Sequence, residues 1–498
     1  MSIPTERRRA DGSLRAQLFI GGRWRDAASG RTVEIRDPAT GDLVGTSALG
    51  AAEDARAALE AAQEAFPGWS RTPAAERAGV LHEAARLIRE RTEEIAIALT
   101  LEQGKPLADS RKEIAFACDV FDYYAEEGQR VGGEWRPTRD ARIRSLVLRQ
   151  PVGVIVGIVP WNYPIDLLSW KIGPALAAGC AVVAKPATQT PLATALTVRC
   201  FEDAGLPSGV LNLVIGPGAE VGDELVRNPI SRLITLTGST ETGRHVMRLA
   251  SDGLKRLILE LGGHTPLIVL DDADLETVVA AAVRRSYSNM GQICIAVNRI
   301  LVADPVASDF IEAFAERASA LPLGHGLDPG TEYGPLLDEV TRQRSAAHVA
   351  DAVAHGASLV TGGRAPDGEA FGGGTFYLPT VLADVDPQSL VMREETFGPV
   401  AAIRRFAGLD EAIAAANDSP YGLAAYVFGR DLERCLYVAE RLEAGGVGVN
   451  VNDVTELAAP FGGWKQSGFG RELGPEGLEH CLELKHIRIG LLSERASS

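Results

Sequence analysis

Apolar positions in the first quarter of the chain repeat at helical spacing. Ala55, Leu59, Ala62 and Phe66 fall at i, i+4, i+7 and i+11, one face of a 3.6-residue period. Pro67-Gly68 is expected to end that helix. Leu81, Ala85 and Ile88 repeat in the same way within a long helical region over 73–125, interrupted near Gly104-Lys105-Pro106. The intervening charges, Arg89 to Arg91 with Glu93 and Glu94, read as a solvated face. Ahead of these helices, residues 17–24 predict a hairpin around Gly21-Gly22, and 37–41 a turn.

From Arg142 the period changes. Residues 142–148 are β-like, and 152–159 form a nearly continuous apolar run, as expected of a strand covered on both faces of a parallel sheet. Short runs recur at 181–184, 211–215, 233–236 and 257–259, with helix-like segments such as 191–204 between several of them. This β-α-β alternation predicts an open, Rossmann-like α/β sheet, whose ligands sit at the carboxyl ends of the strands. A second α/β set follows Gly262-Gly263. Its strands are expected at 267–270, 299–302, 400–403 and 424–428, and its helices at 275–286 and 308–320. The stretches 324–335 and 362–374 read as Gly/Pro-rich loops, and 485–491 as a β-like end with Ile487, Ile489 and Leu491 alternating.

Composition narrows the partners. The chain has 498 residues, enough for two to three domains at about 150 residues each, and a net charge of −16. Nucleic acid and anionic membranes would be repelled as main partners. No apolar run approaches the roughly 20 residues that span a bilayer. The first 15 residues are polar, lack a signal-peptide core and read as a frayed tail. Six cysteines are scattered with no CxxC and no zinc-type cluster, so no metal is expected, and free thiols in a cytoplasmic, reducing compartment are.

The candidate chemistry lies just past the strand ends. After Val159 comes Pro160-Trp161-Asn162-Tyr163-Pro164, where a side-chain amide between prolines could donate to an oxyanion, or simply cap a rigid turn. After Ala184 comes Lys185-Pro186-Ala187-Thr188, a lysine and hydroxyl that suit a ribose or phosphate. Thr237 leads into Gly238-Ser239-Thr240, where backbone can approach a pyrophosphate at a helix start, although this is neither GxGxxG nor a P-loop. Leu259 leads into Glu260-Leu261-Gly262-Gly263; a buried carboxyl there has a raised pKa that suits a general base, and otherwise reads as a cap or ion pair. Glu395 and Phe397 place a carboxylate and a ring within three positions. Cys294 ends a polar turn, 287–294, between Ile293 and Ile295; a thiol becomes nucleophilic when exposure, dipoles or a base promote the thiolate. No other cysteine lies close enough in sequence for a local disulfide switch.

Together with Pro460-Phe461-Gly462-Gly463-Trp464-Lys465-Gln466-Ser467-Gly468, these pieces resemble the NAD(P)-dependent aldehyde dehydrogenases in order and spacing, over about residues 17 to 490. The resemblance implies a non-acylating, hydrolytic enzyme: Cys294 as nucleophile, Asn162 as oxyanion donor, Glu260 as the base that activates water, and Lys171 with Glu472 as a proton relay. It implies cofactor contacts at Trp161, Lys185, Thr188, Gly238, Ser239, Glu395 and Phe397. Thr188 stands where strictly NAD-dependent members often carry a glutamate that would repel a 2′-phosphate. Both NAD and NADP therefore stay open, with a lean to NAD.

For the substrate, Trp170 and Ser288 stand where the succinate-semialdehyde branch carries arginines. Tyr163, Leu167, Trp170 and Phe461 read as walls of a mostly apolar tunnel, with Asp166 and Thr455 as polar spots. A neutral or hydroxylated aldehyde is expected; a semialdehyde held by other cations, or a non-catalytic protein on the same fold, are the alternatives. His264 departs from the Lys or Asn common in the family. The implied layout is a cofactor-binding domain over 1–140 and 151–259 and a catalytic domain over 260–445. Oligomerisation strands at 141–150 and 481–498, forming a homodimer or homotetramer, and a tunnel-lining return segment over 446–480 complete it.

Overall fold

Five parallel strands form the middle of an eight-stranded sheet in the computed structural model: Arg256–Glu260, Ser231–Thr237, Val154–Ile158, Ala181–Lys185 and Leu211–Leu213, in that spatial order. The structure describes residues 14–491; most of the tail read over 1–15, and residues 492–498 of the last segment, lie outside the described residues. Gly468–Phe469 adds antiparallel to one edge, and the hairpin Leu18–Ile20/Arg23–Arg25 to the other. The central strands are buried almost throughout, which is why their sequences run apolar rather than alternating. In register, Thr237 lies beside Glu260, Leu236 beside Ile158, and Ile158 beside Lys185. The candidate residues after these strands therefore share one carboxyl edge, where open α/β sheets hold ligands.

The second sheet has seven strands, ordered Ser358–Thr361, Thr380–Ala383, Val400–Phe406, Val297–Ala303, Thr265–Val269, Ala424–Phe428 and Gly446–Val449. All its pairings are parallel except the first. Three of these strands, with the helix Glu339–Ala354, lay outside the sequence expectation.

Two helix boundaries differ from expectation. Ala52–Trp69 runs through Pro67. A proline in the last turn forfeits little of the ladder, and the buried Trp69 beyond it is anchored by its Nε1–H on the Leu176 carbonyl, 3.1 Å. The region over 73–125 is three helices, Ala74–Glu90, Thr92–Gln103 and Leu107–Gln129. Gly104, with φ 95°, makes the expected interruption; Arg91 (φ −103°, ψ 12°) makes another without glycine or proline to announce it.

Ile143–Pro151 pairs antiparallel with Leu482–Gly490 along nine residues, and with Glu134–Arg136 on its other side. Trp135 and Leu484 stay exposed on this ribbon. Among the described residues no helix is long and apolar enough to cross a membrane, and no group of three or more His, Cys, Asp or Glu could hold a metal ion.

Candidate active site

The cysteine turn is built on strained backbone. After the helix Leu275–Tyr287, Asn289 (φ 46°), Met290 (φ 56°) and Gly291 (φ 74°) are left-handed in succession. For a non-glycine residue this costs about 1–2 kcal/mol. A buried amide network offsets it. Asn289 Oδ1 accepts from Gln103 Nε2 at 3.0 Å, its Nδ2 donates to the Asn162 carbonyl at 3.1 Å, and Gln292 Nε2 donates to the Asn289 carbonyl at 3.0 Å. Gly291 passes so close to the Gly398 carbonyl that a Cβ would lie 2.3 Å from its oxygen.

This turn delivers Cys294 to a cavity of about 350 Å³ whose wall also carries Glu260 and Asn162. Tyr163, Asp166, Leu167, Trp170, Thr455 and Phe461 line the same cavity, so these nine residues from six separate segments meet in one place. Trp170 packs edge-on against Phe461 (5.1 Å) and Phe116 (6.5 Å). Asn162 Nδ2 spends one hydrogen on the Gln292 carbonyl at 3.0 Å, and an amide nitrogen has a second to give.

Burial, then the carboxylates of Glu395 and Glu260, pushes the Cys294 thiol up to about 12. The resting sulfur is therefore a protonated thiol, and of the routes to the thiolate it is a base that attack requires. Glu260 suits that need. Both its oxygens are buried without a hydrogen-bond partner, and burial, followed by Glu472, raises its pKa well above the carboxylate range. Behind it, Lys171 Nζ donates to Glu472 Oε1 and to Thr237 Oγ1, each at 2.7 Å. Thr235 Oγ1 donates to the same Glu472 oxygen at 2.7 Å. Thr237 itself reaches the cavity wall, so this buried chain adjoins the cavity.

Most of the cofactor candidates follow the first sheet's strands, and Glu395 and Phe397 come from the loop before Val400–Phe406 of the second. Glu395 Oε1 accepts from the Gly263 N–H at 3.0 Å, and burial pushes its pKa up to about 7. A Cβ on Gly262 would lie 2.5 Å from Glu395 Oε2, and one on Gly263 2.0 Å from the Cys294 carbonyl oxygen, which explains the paired glycines. Trp161 and Phe397 meet edge-to-face at 5.4 Å. Lys185 is buried, its pKa lowered to about 8 by desolvation, and among the described residues its Nζ reaches only the Pro186 carbonyl at 3.4 Å. Ser239 caps the helix Thr240–Ser251, accepting from the Thr242 N–H at 3.2 Å, and Gly238 donates to the Glu260 carbonyl at 3.0 Å. Thr188 Oγ1 donates to Gln189 Oε1 at 3.2 Å. A buried lysine without an anion and a helix N-terminus fit a phosphate-bearing dinucleotide.

Several wall residues were not read from the sequence. Arg284 and Arg285 both line the cavity. The loss of arginines at Trp170 and Ser288 therefore does not leave the wall without cations, as expected, because two sit three and four positions before Ser288. Arg285 donates to the Asn452 carbonyl and pairs with Asp453 at 2.5 Å, whereas Arg284 is exposed and has no ion pair among the described residues. Glu113 is buried against Lys105 at 2.6 Å. His264 is structural. It is buried, its Nε2 bonds the Val391 carbonyl at 3.0 Å, and burial, then Arg299, drives its pKa well below the usual histidine range.

A parallel sheet with its candidate residues along the carboxyl edge, beside a cavity that holds a thiol, is the architecture of an α/β dehydrogenase. The chain belongs to the Aldehyde dehydrogenase family, whose profile matches residues 24–487. It is 44% identical to the succinate-semialdehyde dehydrogenase [NADP(+)] GabD of Escherichia coli (strain K12), over 96% of this chain and 98% of that one. It is 43% identical to a glutarate-semialdehyde dehydrogenase of Pseudomonas aeruginosa, with the same coverage. The solved betaine aldehyde dehydrogenase of Staphylococcus aureus in complex with NAD+ superposes with a TM-score of 0.94 at 38% identity, over 96% of this chain and 95% of that one. The protein is an NAD(P)-dependent aldehyde dehydrogenase, oxidising an aldehyde to the acid as NAD(P) is reduced.

Proposed function

We propose that Cys294 attacks the aldehyde carbon and that Glu260 serves as the base, first for the thiol and then for water. The observation carrying this is the meeting of Cys294, Glu260 and Asn162 in one cavity at the sheet's carboxyl edge. Asn162 and the backbone N–H of Cys294 hold the thiohemiacetal oxyanion. The bound nicotinamide supplies the hydride acceptor. Cys294 then carries a thioester, and Glu260 draws a proton from the water that hydrolyses it. Lys171 and Glu472 pass that proton away from the cavity.

For the cofactor, Glu395 holds the nicotinamide-ribose hydroxyls and Lys185 the adenosine ribose or a 2′-phosphate, with Ser239 and Gly238 toward the pyrophosphate, Thr188 beside the adenosine ribose, and Phe397 and Trp161 packing the rings. The free thiols support a reducing, cytoplasmic setting. The exposed Trp135 and Leu484 support assembly through the ribbon of Ile143–Pro151 and Leu482–Gly490 into a dimer or tetramer.

The substrate we infer is a neutral or hydroxylated aldehyde. Tyr163, Leu167, Trp170 and Phe461 make an apolar wall, and the deeper cations Lys105 and Arg285 already face carboxylates. A second reading, an anionic semialdehyde, is favoured by the unpaired Arg284 and by the named substrates of two relatives. NAD(P)H absorbance with succinate semialdehyde, glycolaldehyde and longer neutral aldehydes, under NAD and NADP in parallel, separates the two; a preference for succinate semialdehyde refutes the first. Cys294→Ala should abolish NAD(P)H formation and leave cofactor binding, and retained turnover would remove the cysteine mechanism.

A further inference from the structure

Four carboxylates other than Glu260 line the tunnel, and three are matched. Glu113 pairs with Lys105 (2.6 Å), Asp109 with Lys112 (2.8 Å), and Asp453 with Arg285 (2.5 Å). Asp166 has no cation within ion-pair distance among the described residues. Its side-chain partner is the indole of Trp170, one helical turn along, whose Nε1–H donates to Oδ1 at 2.8 Å. That bond uses one oxygen. The other, Oδ2, has no donor among the described residues, although the group lies among Tyr163, Leu167 and Trp170 at the start of the helix Asp166–Ala178. Burial, then Glu113, raises the Asp166 pKa well above the ordinary range, so the empty site holds this carboxyl at a cost. Asp166 is half-buried and its Oδ2 opens to the cavity, so an acceptor with no protein donor among the described residues is free to take one from what enters.

We propose that Asp166 Oδ2 accepts a hydrogen bond from a hydroxyl or ammonium group on the aldehyde, making Asp166 a specificity-determining residue that selects donor-bearing substrates. Trp170 is a positioning residue: its N–H fixes which carboxyl oxygen faces the tunnel. The assignment rests on the neutral-or-hydroxylated reading and sharpens it, because an anionic tail beside Asp166 would meet a like charge or a carboxyl short of donors.

The test compares kcat/KM for butanal, 4-hydroxybutanal, 4-aminobutanal and succinate semialdehyde in the wild type, Asp166→Ala, Asp166→Asn and Trp170→Phe. The readout is each ratio to butanal. The wild type should favour a donor-bearing aldehyde by roughly threefold to a hundredfold, the range from a neutral to an ionised carboxyl acceptor. Asp166→Ala should bring that ratio near one. Asp166→Asn, close in shape, should lose an ammonium preference and keep part of a hydroxyl preference, which separates the two donors. Trp170→Phe should lower the ratio only in part, because the carboxyl stays and only its orientation is released. A wild-type ratio near one, or a ratio surviving in Asp166→Ala, overturns the assignment. So does a ratio lost as fully in Trp170→Phe, since Asp166 would then act only by holding the indole. Succinate semialdehyde as the best wild-type substrate would sink the underlying reading, while the hydroxyl and amino ratios would still decide the role of Asp166.

Discussion

Gly262→Ala isolates one contact of the cofactor cleft. The φ of Gly262 is not left-handed, so its backbone accepts an alanine without strain. The new Cβ would stand 2.5 Å from Glu395 Oε2 and 3.2 Å from its Cδ. Restoring ordinary contact requires the carboxylate to withdraw by about 0.9 Å. Such a shift stretches the 3.0 Å bond from the Gly263 N–H past useful length. A hydrogen bond to a charged group is worth about 1.5–3 kcal/mol. Because Glu395 is the proposed ribose carboxylate, the loss should appear as a rise in cofactor Kd of roughly tenfold to a hundredfold. Fluorescence titration with NAD and NADP reads that Kd, and a thermal melt of the apo protein checks that the fold survives. An unchanged Kd in a folded variant would refute the placement of Glu395 at the ribose.

Two further outcomes follow from the buried charges. Glu260→Gln should still give a burst of NAD(P)H, yet slow the steady rate by two or more orders of magnitude, the usual worth of a general base being about 10²–10⁴; unchanged turnover would remove Glu260 from the water-activating role. Lys185 is charged below, and neutral above, its lowered pKa of about 8. The KM for NADP should therefore rise as pH passes upward through about 8, more steeply than the KM for NAD, and parallel profiles would separate Lys185 from the 2′-phosphate.

The fold was legible where burial is two-sided. The runs at 152–159, 181–184 and 233–236 could be read as strands because both faces of their sheet are covered, which removes polar residues from the pattern. Ser358–Thr361 was not legible, since it is an edge strand with an exposed, irregular face. The break at Arg91 was equally hidden, because the apolar period continues across it on both sides. Cys294, Glu260 and Asn162 could be paired in advance only because motif order carried information that periodicity did not. Arg284 was not legible, because only the helix Leu275–Tyr287 sets it one turn before Ser288 on the cavity wall.

Charge matching in the tunnel was the least legible layer, and it bears most on the substrate. Arg285 and Asp453 are 168 residues apart, and a net charge of −16 says nothing of which carboxylate finds which cation. Once the pairs are drawn, and Glu260 is set aside, Asp166 and Arg284 remain unmatched in the cavity wall among the described residues. They are not equivalent. Arg284 is exposed, so water solvates it at little cost and no ligand is needed to explain it. Asp166 is half-buried among apolar side chains, where an oxygen without a protein donor is solvated less well than one on the open surface. A carboxylate-tailed aldehyde would use the charge that needs no partner and leave, beside its own anion, the one that does. A hydroxyl- or ammonium-bearing aldehyde satisfies the half-buried group and leaves the exposed one to solvent. Burial, more than the count of cations near the mouth, therefore favours the donor-bearing substrate.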